Sequence, residues 1–529
     1  MPKLFAGIDC STQSCKLVIL DFQEAAVIYT DIVNYDNDLP QYGSINGVIP
    51  GLGAGISESD PNMWIDALNM LFTRLKDTKI STQDILAISV SGQQHGLVTL
   101  DAEGNLTRKH SKLWNDFSTT EECQLMTEAV GGVEAMINEV GNSQRTGYTA
   151  AKIFHLARHE PEAFAKTTTC FLVHNFVNWY LTGAKNNGVR VMEPGDTSGI
   201  ALWHTGKRTW STKLCQIISP DLMDKIPQLR PSDEMIGTIS PELCRRYGFS
   251  PQCQIDAGSG DNMYGAVGTG NVCPGIVTIS LGTSGTAYSF MKQPFIDREG
   301  EIAAFCDSTG NFLPLLCVSN LSNGYNAILK QYDLDHSSFN KIASITPPGC
   351  NGRLIVPWYE GERTPNVPLA APIYFGFKLS DFKKEWLCRS VLEGHILNLY
   401  EGFKRMPIQA REIRLTGGLA QSDVWRQAIA DIFEVQTVPV EGEGAALGAA
   451  LHAAWVYQKK SDNSRTLQDI ATPFIKLRED KRQFPNLKNV NIYRQLKKIY
   501  SSISSRIRGL HSSDDPFQLR NELCMLIQK

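Results

Sequence analysis

No C-x-x-C pair occurs among the 13 cysteines of this 529-residue chain. A secreted disulfide scaffold or a structural zinc site would hold its cysteines at short, patterned spacings. Scattered ones read as buried free thiols in a reducing cytoplasm. Basic residues form no block, and the formal net charge is −4, so the positive footprint of a nucleic-acid binder is missing. Nowhere does the chain approach the roughly 20 consecutive apolar residues that span a bilayer. The longest small-apolar run, "AALGAALHAAW" at 445–455, reads as a packed helix. The opening "MPKLFAGIDC" is strand-like, so no signal peptide is expected. The phosphate loop G-x-x-x-x-G-K-[ST] is absent. "GLGAGIS" and "GEGAALG" both miss the G-x-G-x-x-G spacing, which argues against a Rossmann dehydrogenase.

What is present is a long α/β alternation. Hydrophobic residues make up 42% of the chain, and its length implies two or more domains. "LFAGIDCSTQSCKLVILD" reads as strand, turn, strand, and "DPNMWIDALNMLFTRLK" as a helix entered through Asp60-Pro61. "ILAISVSG" reads as a buried strand. "MIGTISPELCRRYGFSP" reads as a turn, a short helix and a glycine stop. "IRLTGG", "SDVWRQAIADIF", "VQTVPV" and "GEGAALGAALHAAWVYQ" alternate strand and helix. Residues 37–61, rich in Gly, Pro, Asn and Ser, form a long surface loop. From about 459 onward the chain is polar and ends in an amphipathic stretch, a helical extension on the second domain. One echo stands out. "GIDCSTQSCKLVILD" and "TISLGTSGTAYSF" are both strand, hydroxyl-rich turn, strand, half a chain apart, which suggests two related domains.

Several short stretches can carry chemistry, and each has an ordinary structural reading beside it. The turns holding Ser11, Thr12, Gln13 and Ser14, and Thr283, Ser284 and Thr286, offer backbone N–H groups and hydroxyls to an anion, or simply satisfy their own hairpins. Asp9 before the first turn makes sense next to phosphate if a divalent cation lies between. Lys16 adds a point charge. Gly417 and Gly418 in "RLTGGLAQSDVWRQ" admit a flat ring, or serve a tight turn. Gln93, Gln94 and His95 end a strand and can line a sugar pocket, although a lone His95 equally reads as a capping or solvent histidine. Trp114, Asn115 and Asp116 suit a polyol site or a turn. In "GSGDNMYGAVG", Asp261 lies between glycines at a strand-to-helix turn. It reads as a base on a glycine hinge, as the helix N-cap, or as both.

Taken in order, "GIDCSTQSCK", "SGQQHG", "WND", "GYTAAK", "GSGDN", "SLGTSG", "GERTP" and "TGGLAQS" resemble the FGGY carbohydrate kinases, from residue 7 to about 422. The "GEGAALGAA" helix extends the match to about 450. Each motif alone is weak; their order is specific. The resemblance implies two ribonuclease-H-like domains of the actin-like ATPase superfold, at 1–256 and 257–458, with the active site in a cleft between them and a helical extension at 459–529. It implies ATP-dependent phosphorylation of a sugar. "GQQHG" and "WND" point to D-xylulose over glycerol, with ribulose, ribitol, a sugar sensor or a non-catalytic actin-like ATPase as alternatives. It makes Asp261 the catalytic base. Gln94, His95, Asn262 and Arg145, with Tyr148 near it, would bind the sugar. Thr12, Ser14, Lys16 and Thr283 would surround the phosphates of ATP. Gly417, Gly418 and Gln421 would face the adenosine, and Asp9 would hold Mg2+. A cytoplasmic enzyme follows, with a homodimer as a compatible assembly and neither nucleic acid nor membrane as partner. One departure is Cys10-Ser11, where relatives often have a glycine before the threonine; Ser11 is expected to narrow the phosphate pocket.

Overall fold

The computed structural model of the chain describes residues 3–442 and 444–528. The chain divides into two compact units that interleave along the sequence. One comprises Met1–Cys273, Phe290–Leu313 and Gly442–Ile475; the other comprises Pro274–Ser289, Pro314–Glu441 and Lys476–Lys529. The sequence reading drew three consecutive segments instead, because local patterning does not reveal a chain that leaves one core and returns to it.

The first unit is built on a sheet whose central strand is Leu4–Cys10. Ser14–Asp21 and Ala26–Asn34 follow it as an antiparallel meander. On its other side Ile85–Gly92 and then Gln254–Asp256 run parallel to it. Met235–Thr238 closes that edge antiparallel. The period of two along the first strand assigns its faces. Leu4, Ala6 and Ile8 pack with Met63, Trp64, Leu68 and Leu71 of helix Pro61–Lys76. Phe5 packs on the opposite face with Ala446, Leu447 and Ala450 of helix Gly444–Lys459. A sheet covered on both faces explains why "ILAISVSG" is apolar along most of its length. Helix Pro61–Lys76 starts where expected: the Asp60 carboxylate accepts from the Asn62 amide, and Pro61 occupies the first turn.

The second unit repeats this plan. Ile276–Leu281, Gly285–Tyr288 and Leu315–Val318 form the antiparallel meander. Glu412–Thr416 and then Gln436–Glu441 run parallel to the first of them. The order and directions of these five strands match those of the first unit, so the two hydroxyl-rich hairpins are equivalent pieces of a duplicated α/β fold.

Two local readings change. "MIGTIS" contains the strand Met235–Thr238 rather than a turn, since Gly237 disguised it. The polar tail is integral to both cores. Leu467, Ile470 and Phe474 pack in the first unit. In the second, Tyr493 of helix Leu487–Ile507 is fully buried; its hydroxyl donates to Glu393 at 2.8 Å and accepts from Arg389 at 2.6 Å.

Candidate active site

In the first unit the polar groups gather where strands Leu4–Cys10 and Ile85–Gly92 end side by side. Asp9 pairs with Ser91 in register. Its carboxylate accepts from Ser91 Oγ at 2.8 Å and from Ser11 Oγ at 2.6 Å. Burial pushes its pKa up, against those hydroxyls and Lys16, and Lys16 faces it across the hairpin. Ser11 is therefore turned onto Asp9. The Ser11 amide closes the turn on the Ser14 carbonyl at 3.0 Å. Thr12 Oγ1 donates to Gln93 Oε1 and accepts from the Trp114 indole, each at 3.0 Å. The 37–61 loop rests on the same turn: a Cβ on Gly47 would lie 1.8 Å from the Thr12 carbonyl oxygen.

Strand Ser259–Gly260 adds to the end of Ile85–Gly92, pairing Gly260 with Gly92. That brings Asp261, the first residue of helix Asp261–Gly268, against Gln94. The N-cap is Gly260, so Asp261 is the first helical residue rather than the cap, and its carboxylate accepts from the backbone and side chain of Asn262 beside it. The glycines serve contact rather than mobility. A Cβ on Gly260 would meet Gln94 Cγ at 2.7 Å, and Gly258, at φ +71°, would meet the Val90 carbonyl at 2.7 Å. The expected hinge is a tightly packed corner.

Asp261 Oδ1 accepts from Asn262 Nδ2 at 3.0 Å, and the same amide donates to Gln94 Oε1 at 2.8 Å. Burial, together with the charges of Asp9 and Asp196, pushes the Asp261 pKa up to about 8. Two carboxylates close enough to feel one another cannot both ionise freely.

His95 adopts φ +66°, a conformation costly for a non-glycine residue that clusters at functional sites. Two contacts hold it. Lys152 Nζ and Thr149 Oγ1 donate to its carbonyl at 2.6 and 3.1 Å, and Gly199 leaves room for its ring, since a Cβ there would lie 2.3 Å from Cε1. Burial pushes Lys152 down to about 7. The His95 ring lies 5.0 Å from that of Tyr148 and 5.7 Å from that of Phe305. Arg145 donates to the carbonyls of Gly300 and Glu301 at 2.8 and 2.7 Å, so this guanidinium anchors a neighbouring segment. The polar groups of "WND" are likewise committed locally: Asn115 Oδ1 accepts from Ser57 Oγ and Asp116 Oδ2 from the Ser57 amide. Trp114 keeps 41% of its surface exposed.

In the second unit, the Thr283 carbonyl accepts from the Leu321 and Ser322 amides at 3.1 and 3.2 Å, fixing the second hydroxyl-rich turn. Gly417, at φ +88°, packs against the Leu281 carbonyl, where a Cβ would lie at 2.5 Å; Gly418 faces open space. That space is a cavity of about 440 Å³ lined by Gly418, Gln421, Ser322, Tyr325, Asn326 and His336 among others. Tyr325 and His336 stack at 5.6 Å. Gln421 Oε1 accepts from Lys481 Nζ at 2.9 Å.

Sequence reasoning did not single out Lys152, Asp196, His174, Tyr325 or His336. "MEPGDTSG" and "VHNFVNWY" carry no local signature. Asp196 is recognisable only once the fold puts it within 3.3 Å of Gln94, 102 positions away in sequence.

A duplicated α/β fold thus carries a buried carboxylate of raised pKa in one unit and a cavity of about 440 Å³ in the other. The chain belongs to the FGGY family of carbohydrate kinases: the family's N-terminal domain matches residues 4–268 and its C-terminal domain residues 277–457. It is 34% identical to a xylulose kinase of Haemophilus influenzae, over 95% of this chain and 100% of that one. It is 30% identical to a xylulose kinase of Bacillus subtilis, over 88% of this chain and 92% of that one. A solved xylulose kinase from Bifidobacterium adolescentis superposes with a TM-score of 0.79 at 25% identity, covering 94% of this chain and 99% of that one. The substrates are accordingly a sugar and ATP. Among the described residues, no helix is long and apolar enough to cross a membrane.

Proposed function

We propose that the protein transfers the γ-phosphoryl group of ATP to the terminal hydroxyl of D-xylulose, giving D-xylulose 5-phosphate and ADP. The observation that carries this reading is Asp261, a carboxylate beside the Gln94 and Asn262 amides with its pKa near 8. A base serves best with a pKa close to the working pH. The sugar O–H bond breaks, its proton passes to Asp261, the oxygen bonds to phosphorus, and the bond from phosphorus to the bridging oxygen breaks to release ADP. The names of the relatives support the choice of ketose.

Gln94, His95 and Asn262 hold the ketose. Arg145 shapes that site through the segment it anchors. Thr12, Ser14 and Lys16 on the first hydroxyl-rich turn take phosphate oxygens, and Thr283 on the equivalent turn of the second unit has the same role by the family resemblance. Gly417, Gly418 and Gln421 border the adenosine cavity, whose volume lies within the range of small-molecule sites. The groups at Asp9 suit Mg2+: a carboxylate flanked by hydroxyls, with the charge of Asp261 adding to it, is an all-oxygen donor set for a hard cation. When bound, the ion would offset the charge of the phosphates. All 13 cysteines stand free, which fits a reducing cytoplasm.

The test is ATP consumption with Mg2+ across D-xylulose, D-ribulose, L-xylulose, ribitol and glycerol. A clear preference for D-xylulose supports the reading. Preference for another sugar keeps the kinase and moves the substrate, and no sugar-dependent turnover shifts the weight to a sensor. Asp261→Ala is expected to lose about 10²–10⁴-fold in turnover while sugar and ATP still bind. Near wild-type turnover in that variant overturns the base assignment.

A further inference from the structure

Behind the sugar site runs a chain of hydrogen bonds whose direction can be deduced from one end. The Leu172 amide donates to Asn175 Oδ1 at 3.2 Å, and a backbone N–H can only donate. Asn175 therefore turns its Nδ2 towards His174, where it donates to Nε2 at 2.8 Å. With Nε2 accepting, the imidazole proton sits on Nδ1 and is donated to Asp196 Oδ2 at 3.1 Å. The other oxygen of Asp196 accepts from Gln94 Nε2 at 3.3 Å. Gln94 consequently presents Oε1 to Asn262 Nδ2, whose second hydrogen goes to Asp261 Oδ1. His174, Asn175, Asp196 and Gln94 are all buried, so water does not compete for these bonds.

We infer that Asp196, oriented by His174, is a positioning residue for phosphoryl transfer: it sets the direction of the Gln94 and Asn262 amides and so holds the Asp261 carboxylate as an acceptor towards the sugar. Asp196 takes two donors and offers none. The Asp261 carboxylate also only accepts, so the two amides between these carboxylates are held in one direction from both ends, and an amide in place of Asp196 sets the two ends in conflict. The inference rests on Asp261 being the base.

Asp196→Asn puts a donor where the chain needs two acceptors. His174 keeps its anchored proton on Nδ1, so the new amide must give it the oxygen and show its nitrogen to Gln94. Gln94 then flips, Asn262 flips after it, and an amide oxygen confronts Asp261 Oδ1. Misorientation of this kind, and loss of partners one layer behind a site, costs about 10–100-fold. The second change is electrostatic. The carboxylates that bear on Asp261 are Asp9, itself opposed by Lys16, from the first hairpin, and Asp196 from the segment Pro194–Thr197; Glu193 accepts from the Asp196 amide behind them. Removing the Asp196 charge lowers the Asp261 pKa.

The experiment measures kcat and KM for D-xylulose from pH 5 to 9 in wild type, Asp196→Asn, Gln94→Glu and the double variant, with Asp261→Asn as control. Asp196→Asn is expected to lose at least about tenfold in kcat/KM, with its acid limb moved to lower pH and its melting temperature kept. Gln94→Glu puts two carboxylates face to face and is expected to lose more. In the double variant, the carboxylate introduced by Gln94→Glu accepts from the amide introduced by Asp196→Asn and from Asn262, so the direction is restored; kcat should exceed the value given by the product of the two single losses and the acid limb should move back, while KM keeps the cost of changing a sugar-binding side chain. A merely structural role predicts additive losses and an unmoved limb. Wild-type kinetics in Asp196→Asn, or a double variant no better than the product of the singles, overturns the inference. Full turnover in Asp261→Asn overturns the base assignment beneath it, which separates the two failures.

Discussion

At the scale of single residues, the raised pKa of Asp261 comes at the expense of stability. Asp261 stands near pKa 8 in the folded protein against 3.8 for an ordinary aspartate. A carboxyl whose folded pKa is raised binds its proton more tightly folded than unfolded. Stability therefore falls as pH rises from about 3.8 to 8 and levels off above. Asp261→Asn lacks this loss, so its advantage in melting temperature should be small at pH 5 and reach several degrees at pH 8.5, where even about 1 kcal/mol moves a domain of this size by roughly 2–4 °C. Calorimetry of both proteins at the two pH values checks this; an equal difference at both would contradict the raised pKa. The residues proposed to meet the sugar and its proton stand out in sequence because they cluster in short strings: Gln94 and His95 in "SGQQHG", Asp261 and Asn262 in "GSGDN". Those that orient them do not. Asp196 and His174 act through contacts between segments far apart, and no string of neighbours records such a contact; Lys152 ends the "GYTAAK" string, but nothing in that string marks its bond to the His95 carbonyl.

At the scale of elements, the strands and helices around the two hydroxyl-rich hairpins could be read from periodicity and punctuation, but the reason for their glycines could not. Helices Asp261–Gly268 and Gly444–Lys459 cross without side chains between them. A Cβ on Gly448 would lie 1.9 Å from the Tyr264 carbonyl oxygen, and one on Gly268 would lie 2.1 Å from the Gly444 carbonyl oxygen. The strand beneath makes the same demand, since a Cβ on Gly7 would lie 2.0 Å from the Ala446 carbonyl oxygen. The "AALGAALHAAW" run is small because three backbones meet there. Helix propensity alone predicts that Gly448→Ala stabilises, by about 1 kcal/mol. Backbone contact predicts the reverse sign, at about 2 kcal/mol or more, because the clash cannot be relieved by rotating a side chain. Urea unfolding decides between them, and a more stable variant would mean that the two helices lie further apart than described. The strand Met235–Thr238 escaped the sequence reading for a related reason. Its Gly237 packs on Thr182 and Val189 and looks like a turn residue when read alone.

At the scale of the molecule, the echo of two hairpins correctly signalled a duplicated fold, whereas the interleaving of the units had no signal in local pattern. The first unit must assemble three separate segments, Met1–Cys273, Phe290–Leu313 and Gly442–Ile475, and one buried side chain touches all three. His452 Nδ1 meets Asp256 Oδ2 at 2.8 Å, and its Nε2 meets the Ser308 carbonyl at 2.8 Å. Nε2 faces a carbonyl and so carries a proton, while Nδ1 faces the Asp256 carboxylate and also lies 3.1 Å from the Tyr264 hydroxyl, an arrangement that favours the imidazolium. Burial works against this charge, but the Asp256 carboxylate and the Ser308 carbonyl outweigh it and the pKa stands above the ordinary 6.5. A base with a raised folded pKa contributes stability that is fully present below 6.5 and is lost as pH rises through the folded value. His452→Gln leaves Asp256 buried without its cation and should cost about 3 kcal/mol at pH 6, while His452→Gln with Asp256→Asn should recover much of that. Because Asp261 also lowers stability up to pH 8, the informative quantity is the difference between wild type and the double variant. That difference should shrink as pH rises from 6 to 9, and limited proteolysis within Phe290–Leu313 should accelerate in the wild type over the same range. A difference independent of pH would mean that His452 joins the three segments as a neutral ring.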